Sequence, residues 1–286
     1  MCILSIQSHV CYGHVGNAAA VFPLQLQGHN VWPIHTVQFS NHTGYGNWTG
    51  QVFEADCISE LVRGIAERGA LDQCRAILSG YMGNAAIVKA VTDAVASVRT
   101  ENPDAIYCCD PVIGDVGRGI FVQPGIPDML IKHAIPIADI ITPNQFELEY
   151  ITRCEITSLS SAVEAARKAI AMGPKVVLVT SLVTDGMPEN SIRVLAVTAD
   201  QAWMVSTPLL TFPIPLNGAG DMLSALFLGH IVKGGSVAEA LSASVSGLFQ
   251  VFFNTQAAGT RELQIVSTGA KIFSPDQWFK AETIPE

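Results

Sequence analysis

Residues 213–235 read PIPLNGAGDMLSALFLGHIVKGG. Gly218-Ala219-Gly220 thins the backbone just before an unbroken apolar, small-residue run, and that run closes on Lys233-Gly234-Gly235. A basic last turn followed by glycine marks a helix C-terminus, so the pattern predicts a helix over 219–233 with the glycines at its start. Free N–H groups and the helix dipole make such a start a place for an anion. Asp221 then puts a carboxylate beside an anion site. It either completes the dipole, or it takes the proton from a hydroxyl attacking a phosphate while the turn's N–H groups hold the developing charge. No third glycine follows at dinucleotide-fold spacing and no GK[ST] is present, which excludes both of those phosphate motifs.

Outward from this helix, short β-branched runs alternate with longer helical patterns. Strands are expected over 3–7, 31–37, 76–79, 105–110, 137–142 and 176–181, with an antiparallel pair over 193–198 and 202–207. Helices are expected over 16–27, 59–68, 85–100, 144–152, 160–172, 219–233 and 237–254. The alternation predicts an α/β fold in three layers, a mainly parallel central sheet flanked by helices, as one domain over 1–286. Several strands end in polar or turn-forming residues: Ser8-His9, Ser79-Gly80-Tyr81, Asp110-Pro111, Thr142-Pro143-Asn144 and Thr180-Ser181. Ligands of open α/β sheets bind beyond the carboxyl ends of the strands, so these ends point to a single cleft.

Of the 286 residues, 49% are apolar and 14% charged, enough to bury a large core. The formal net charge of −9 and the scattered basic residues argue against nucleic-acid or membrane-surface partners. No apolar run is long enough to span a bilayer, and MCILSIQSHV has no basic segment before its apolar residues, so a cytoplasmic protein is expected. The seven cysteines include no CxxC pair and no zinc spacing, which predicts reduced thiols.

Three further stretches carry chemistry. In ITPNQFELEY (141–150), Asn144 and Glu147 stand three apart at a helix start, where they either cap the helix or face the cleft together. YCCDPVIGD ends a buried strand at Asp110, with Asp115 five residues on. Scattered carboxylates and amides of this kind hold magnesium on nucleotide phosphates, often through water. SHVCYGHVGN and VQFSNHTGYGNW bring Ser8 and the loop His42-Thr43-Gly44-Tyr45, polar and aromatic groups suited to a flat polar ring.

Together, SHVCYGHVGN, VQFSNHTGYGNW, CDPVIGD, ITPNQFELE, VLVTS and NGAGD resemble the pyridoxal kinases of the ribokinase superfamily, in family order from about residue 3 to about residue 255. The resemblance implies ATP-dependent phosphorylation of the 5′-hydroxyl of pyridoxal, and usually of pyridoxine and pyridoxamine, in vitamin B6 salvage. It implies Asp221 as base, with Gly218, Ala219 and Gly220 as the anion hole. It sets Ser8, His42, Thr43, Gly44 and Tyr81 around the substrate ring. Asp110, Thr142, Asn144 and Glu147 would organise ATP, with Mg2+ at Asp110 and Glu147, partly through water, and a monovalent cation such as K+ at Thr142. Thr180 and Ser181 would approach the phosphates, and Thr207, Pro208, Leu209 and Leu210 would border the nucleotide together with Gly218 and Gly220. The family is usually dimeric, and Trp32, Phe39 and Trp48 offer apolar surface for that contact.

The chain departs from some members by having no lysine at Thr180, no arginine at Thr207 and no basic residue near Leu216. ATP binding would then rest on metal ions and backbone dipoles. Two other readings compete. A hydroxymethylpyrimidine-type kinase commonly carries cysteine where Asp221 stands and lacks the QFSNHTGY loop. A vitamin B6 carrier would keep the pocket and catalyse poorly, and the intact Asp221, Glu147 and glycine turn argue against it.

Overall fold

The computed structural model describes residues 1–188 and 190–285. In chain order it builds β1 (Cys2–Tyr12), α1 (Asn17–Leu26), β2 (Asn30–Asn41), β3 (Gly50–Val52), α2 (Ala55–Ala66), β4 (Cys74–Ser79), α3 (Ala85–Glu101) and β5 (Ile106–Cys109). A small hairpin, β6 (Gly114–Asp115) and β7 (Gly119–Ile120), is followed by α4 (Ile126–Met129), β8 (Ile140–Ile141), α5 (Gln145–Thr152), α6 (Leu159–Ile170) and β9 (Val176–Leu182). The last part holds β10 (Ser191–Val197), β11 (Ala202–Pro208), α7 (Ala219–Val232), α8 (Val237–Ala258), α9 (Ile265–Thr268) and β12 (Glu282–Thr283).

Ten strands form one sheet in the order β12-β11-β10-β9-β8-β5-β4-β1-β2-β3. The run from β9 to β2 is parallel, and antiparallel strands close both edges. Successive side chains of a strand face opposite sides, and here both sides are apolar. Leu4, Ile6, Ile77, Tyr107 and Cys109 pack toward α2, α3 and α6, while Ile3, Ala76, Leu78 and Cys108 pack toward α1, α7 and α8. Two cores on one sheet produce the three layers expected from the β/α alternation. Helix α7 is buried from Met222 to Gly229, as its all-round apolar sequence requires.

The boundaries differ in places that matter. β1 runs to Tyr12, so Ser8 lies within the strand rather than just beyond it. β8 keeps only Ile140–Ile141, and a 3-10 turn over Ile135–Ile137 takes the first residue of the expected strand. Helix α2 starts at Ala55, four residues before the expected start. The hairpin β6–β7 and the strands β3 and β12 were not foreseen; each is too short to carry a periodic signal. Phe39, expected as dimer surface, is buried and faces the cleft, while Trp48 packs on it at a tilt with ring centroids 4.1 Å apart and stays exposed. All seven cysteines are free thiols. Among the described residues, no helix is long and apolar enough to cross a membrane.

Candidate active site

A cleft of about 380 Å³ opens at the carboxyl edge of the sheet, where β1, β4, β5, β8, β9 and β11 end. Its floor is the start of α7. Gly218, the residue before the helix, has φ +86°, and a Cβ there would stand 1.8 Å from the carbonyl oxygen of His14. Only glycine allows that approach, which sets the turn of residues 13–16 against the helix start. Gly16 is held as tightly: with φ +55°, its Cβ would meet Ser8 Oγ at 2.4 Å. Its backbone N–H counters the upward push that burial gives the Asp221 carboxyl. The side of Gly220 is open space facing the cleft.

Beside Asp221 lies Asp110, buried at the end of β5. Thr142 Oγ1 donates to Asp110 Oδ1 at 3.0 Å, and Ser224 Oγ donates to Thr142 Oγ1 at 2.8 Å. These donors do not outweigh burial and the charges of Glu147 and Asp221, so the Asp110 carboxyl is pushed well up from its ordinary value. Glu147 and Asn144 form a capping box at the start of α5, with the Glu147 N–H donating to Asn144 Oδ1 at 2.9 Å. The Glu147 side chain also accepts from the N–H groups of Ile113 at 2.8 Å, Gly114 at 3.3 Å and Asn144 at 2.9 Å. Burial still raises its carboxyl to about 7. The capping and cleft-facing readings of Glu147 therefore both hold, since the cap is what ties the strand-end loop of residues 110–115 to α5.

At one end of the cleft stand Ser8, His42, Thr43 and Tyr81, with Val10, Val15 and Phe39 as apolar wall. His42 Nδ1 accepts the N–H of Gly44 at 3.1 Å. Burial and the guanidiniums of Arg118 and Arg261 push the imidazole down to about 4, so it is neutral at pH 7 and its Nε2 carries the proton. At the other end, Ile192, Val194, Leu216, Leu248, Phe249 and Phe252 make a larger apolar surface, reached past Thr180, Ser181 and Thr207. Ser181 holds φ +54°, a left-handed conformation uncommon for serine.

Most of the residues named from the sequence thus meet in one cavity: Ser8, His42, Thr43, Tyr81, Asp110, Thr142, Asn144, Glu147, Thr180, Ser181, Thr207, Gly218, Ala219, Gly220 and Asp221. Gly44 lies behind His42, and Pro208, Leu209 and Leu210 are not part of the lining, with Leu209 exposed. Several participants were missed. Ser224, one helical turn past Gly220, is the lone hydroxyl in an apolar run, which was the available signal. Arg118 lines the cleft from the hairpin tip with its guanidinium over Phe121, and its flanking glycines, Gly117 and Gly119, hinted at a turn. It supplies positive charge that was not expected in the cleft. No sequence signal pointed to Gly16 or Glu262, whose contacts are long-range.

A three-layer fold with a carboxylate at a glycine-turned helix start, facing a cleft with one polar and one apolar end, has the architecture of ribokinase-like small-molecule kinases. The family pattern described as phosphomethylpyrimidine kinase matches residues 35–262. Pyridoxal kinase PdxY of Deinococcus radiodurans is 51% identical over 99% of this chain and 96% of its own length. The protein of the same name from Rubrobacter xylanophilus is 51% identical over 99% and 97%. The pyridoxal kinase of Leishmania donovani in complex with ADP and ginkgotoxin superimposes with a TM-score of 0.93, at 29% identity and 99% coverage of both chains. The chain belongs to the phosphomethylpyrimidine kinase family, among its pyridoxal kinases.

Proposed function

We propose that this chain transfers the γ-phosphoryl group of ATP to the 5′-hydroxyl of pyridoxal, and of pyridoxine and pyridoxamine, forming the 5′-phosphate in vitamin B6 salvage. The observation that carries the reading is Asp221 at the start of α7, between the ring pocket of Ser8, His42, Thr43 and Tyr81 and the apolar wall of α8 and β10. A hydroxyl held at one end and a terminal phosphate at the other would meet at that carboxylate. Asp221 takes the hydroxyl proton as the new O–P bond forms. The N–H groups at Gly218–Gly220 stabilise charge on the transferring oxygens. Neutral His42 donates from Nε2 to an acceptor on the ring, and Ser8 and Thr43 offer hydroxyls. The rest is positioning, on which phosphoryl transfer mainly depends.

Three carboxyls, Asp110, Glu147 and Asp221, are all raised by burial, so the site gains from added positive charge. That chemistry fits Mg2+. Among the described residues no group of three His, Cys, Asp or Glu side chains could hold a metal, so the fit is to an ion carried on ATP phosphates. Asp110 would approach it, and Glu147 would do so through water. When bound, Mg2+ neutralises phosphate charge. A monovalent cation such as K+ near Thr142 would act in the same sense, while the Thr142 hydroxyl itself orients Asp110. Residues 1–286 form one kinase domain in this reading. Free cysteines fit a reducing cytoplasm. The exposed Trp48 and the edge strand β3 support a homodimer.

The test is a coupled assay of ATP use with and without each B6 vitamer, across Mg2+ and K+ concentrations. ATP consumption that needs no vitamer, or that needs hydroxymethylpyrimidine instead, overturns the proposal. Asp221→Asn is expected to keep pyridoxal binding and to lower turnover about 10²–10⁴-fold; near-normal turnover removes the base assignment.

A further inference from the structure

Residues 261 and 262 lie just past the end of α8, far in sequence from the ring pocket, yet they contact two of its walls. Glu262 Oε1 accepts the hydroxyl of Tyr45, in the loop that carries His42 and Thr43. Its other oxygen, Oε2, accepts the N–H of His14 at 3.1 Å. Gly13 lies flat against this carboxylate, since a Cβ there would stand 2.2 Å from Oε2. Arg261 works beside it, donating from Nη2 to the carbonyl of Gly44 at 3.0 Å with its guanidinium 3.6 Å over the ring of Tyr45. The anchor is rigid. Gly259 ends α8 in a left-handed cap, and the N–H of Gln264 donates to the buried Thr255 Oγ1 at 3.0 Å.

We infer that Arg261 and Glu262 form a strap whose carboxylate positions the substrate loop and the glycine turn at once. Through Tyr45 it fixes His42 and Thr43 against the ring. Through His14, whose carbonyl abuts Gly218, it fixes the glycine turn against the helix start that carries Asp221. A single carboxylate with one oxygen to each wall sets the spacing between the group that grips the ring and the group that takes its proton. Neither residue touches the reacting atoms; both are positioning residues. An open loop would have to be ordered by substrate at the cost of binding energy, so prior ordering by the strap raises affinity for the ring. The inference rests on the kinase reading above.

The test measures KM and kcat for pyridoxal and KM for ATP in Glu262→Ala, Glu262→Gln and Tyr45→Phe, with the melting midpoint of each. Losing a charge-assisted hydrogen bond raises the pyridoxal KM roughly tenfold or more in Glu262→Ala. Tyr45→Phe, which deletes one oxygen, follows in the same direction. Glu262→Gln lies between, because its amide accepts from Tyr45 but offers no second acceptor to His14. The ATP KM changes by less than about threefold, since the apolar wall of α8 keeps its own packing. An unchanged pyridoxal KM in both Glu262→Ala and Tyr45→Phe overturns the strap. Equal rises in both KM values that track a lower melting midpoint overturn it too, as that pattern is general destabilisation. Failure of the kinase reading is separate: it is seen as wild-type protein that does not use pyridoxal.

Discussion

Gly218 and Gly220 stand two residues apart in the same turn, and replacing each with alanine is expected to do opposite things. At Gly218 the new methyl meets two penalties. Its backbone sits at φ +86°, which costs a side-chain-bearing residue about 1–2 kcal/mol. Its Cβ would lie 1.8 Å from His14 O, a backbone atom that moves only if the 13–16 turn moves. Overpacking of that kind adds roughly 1–3 kcal/mol. A total near 3 kcal/mol lowers the melting midpoint by on the order of 10 °C in a chain of this size. At Gly220 no atom lies within 4 Å of the added Cβ and the backbone is ordinary for a helix. Alanine there is neutral or stabilising by up to about 1 kcal/mol. The methyl instead occupies the open side that faces the cleft, where the transferring phosphate would sit, and kcat/KM is expected to fall about a hundredfold. Calorimetry and the coupled assay on both variants separate the effects. A Gly220→Ala enzyme with normal kcat/KM, or a Gly218→Ala protein with the wild-type midpoint, refutes the division of labour between the two glycines.

Thr142→Val breaks the chain from Ser224 through Thr142 to Asp110 and leaves a buried carboxylate without a 3.0 Å donor, so a loss of about 2 kcal/mol of stability and a higher Mg2+ requirement are expected from melting and metal titration. Glu147 binds a proton more tightly folded than unfolded, with its carboxyl raised to about 7, and Asp110 is raised in the same sense. Their contribution to stability is therefore greatest below the ordinary carboxylate range and is lost as pH rises through about 7, so the melting midpoint of ligand-free protein should fall over that interval. Mg2+ with ATP should flatten the slope, and a midpoint that rises with pH through this window would contradict the account of the carboxylate cluster. His42 is already neutral above about 4, so its titration should leave no inflection in the pyridoxal KM between about pH 5.5 and 8 in a wild-type against His42→Asn comparison.

Much of the site was readable because it sits where regular elements end. The glycine turn before an apolar helix, the Asp110-Pro111 strand stop and the Asn144–Glu147 spacing are local patterns, and each falls at the carboxyl edge of the sheet. Ser8 lines the cleft although its strand runs on to Tyr12, because register with β2 extends β1 and local propensity does not. The parts that were not readable are contacts between distant segments. Pro208 ends β11 and Leu209 and Leu210 follow it, yet none of the three lines the cleft, and the apolar wall comes from α8 and β10 instead. Arg118 stands on a hairpin of two-residue strands, too short for any period to announce it.

The sequence by itself determined the β/α order, the glycine-opened helix that carries Asp221 and the family to which the chain belongs. Those follow from periodicity, chirality and short motifs, which act over a few residues. The tertiary structure decided which carboxylates share one desolvated space, and hence why all three resist ionisation. It also decided that Gly16 and Ser8 touch, and that Glu262 reaches back 217 residues to Tyr45. Such effects depend on distance through space and on the exclusion of water, and neither is written in the order of residues along the chain.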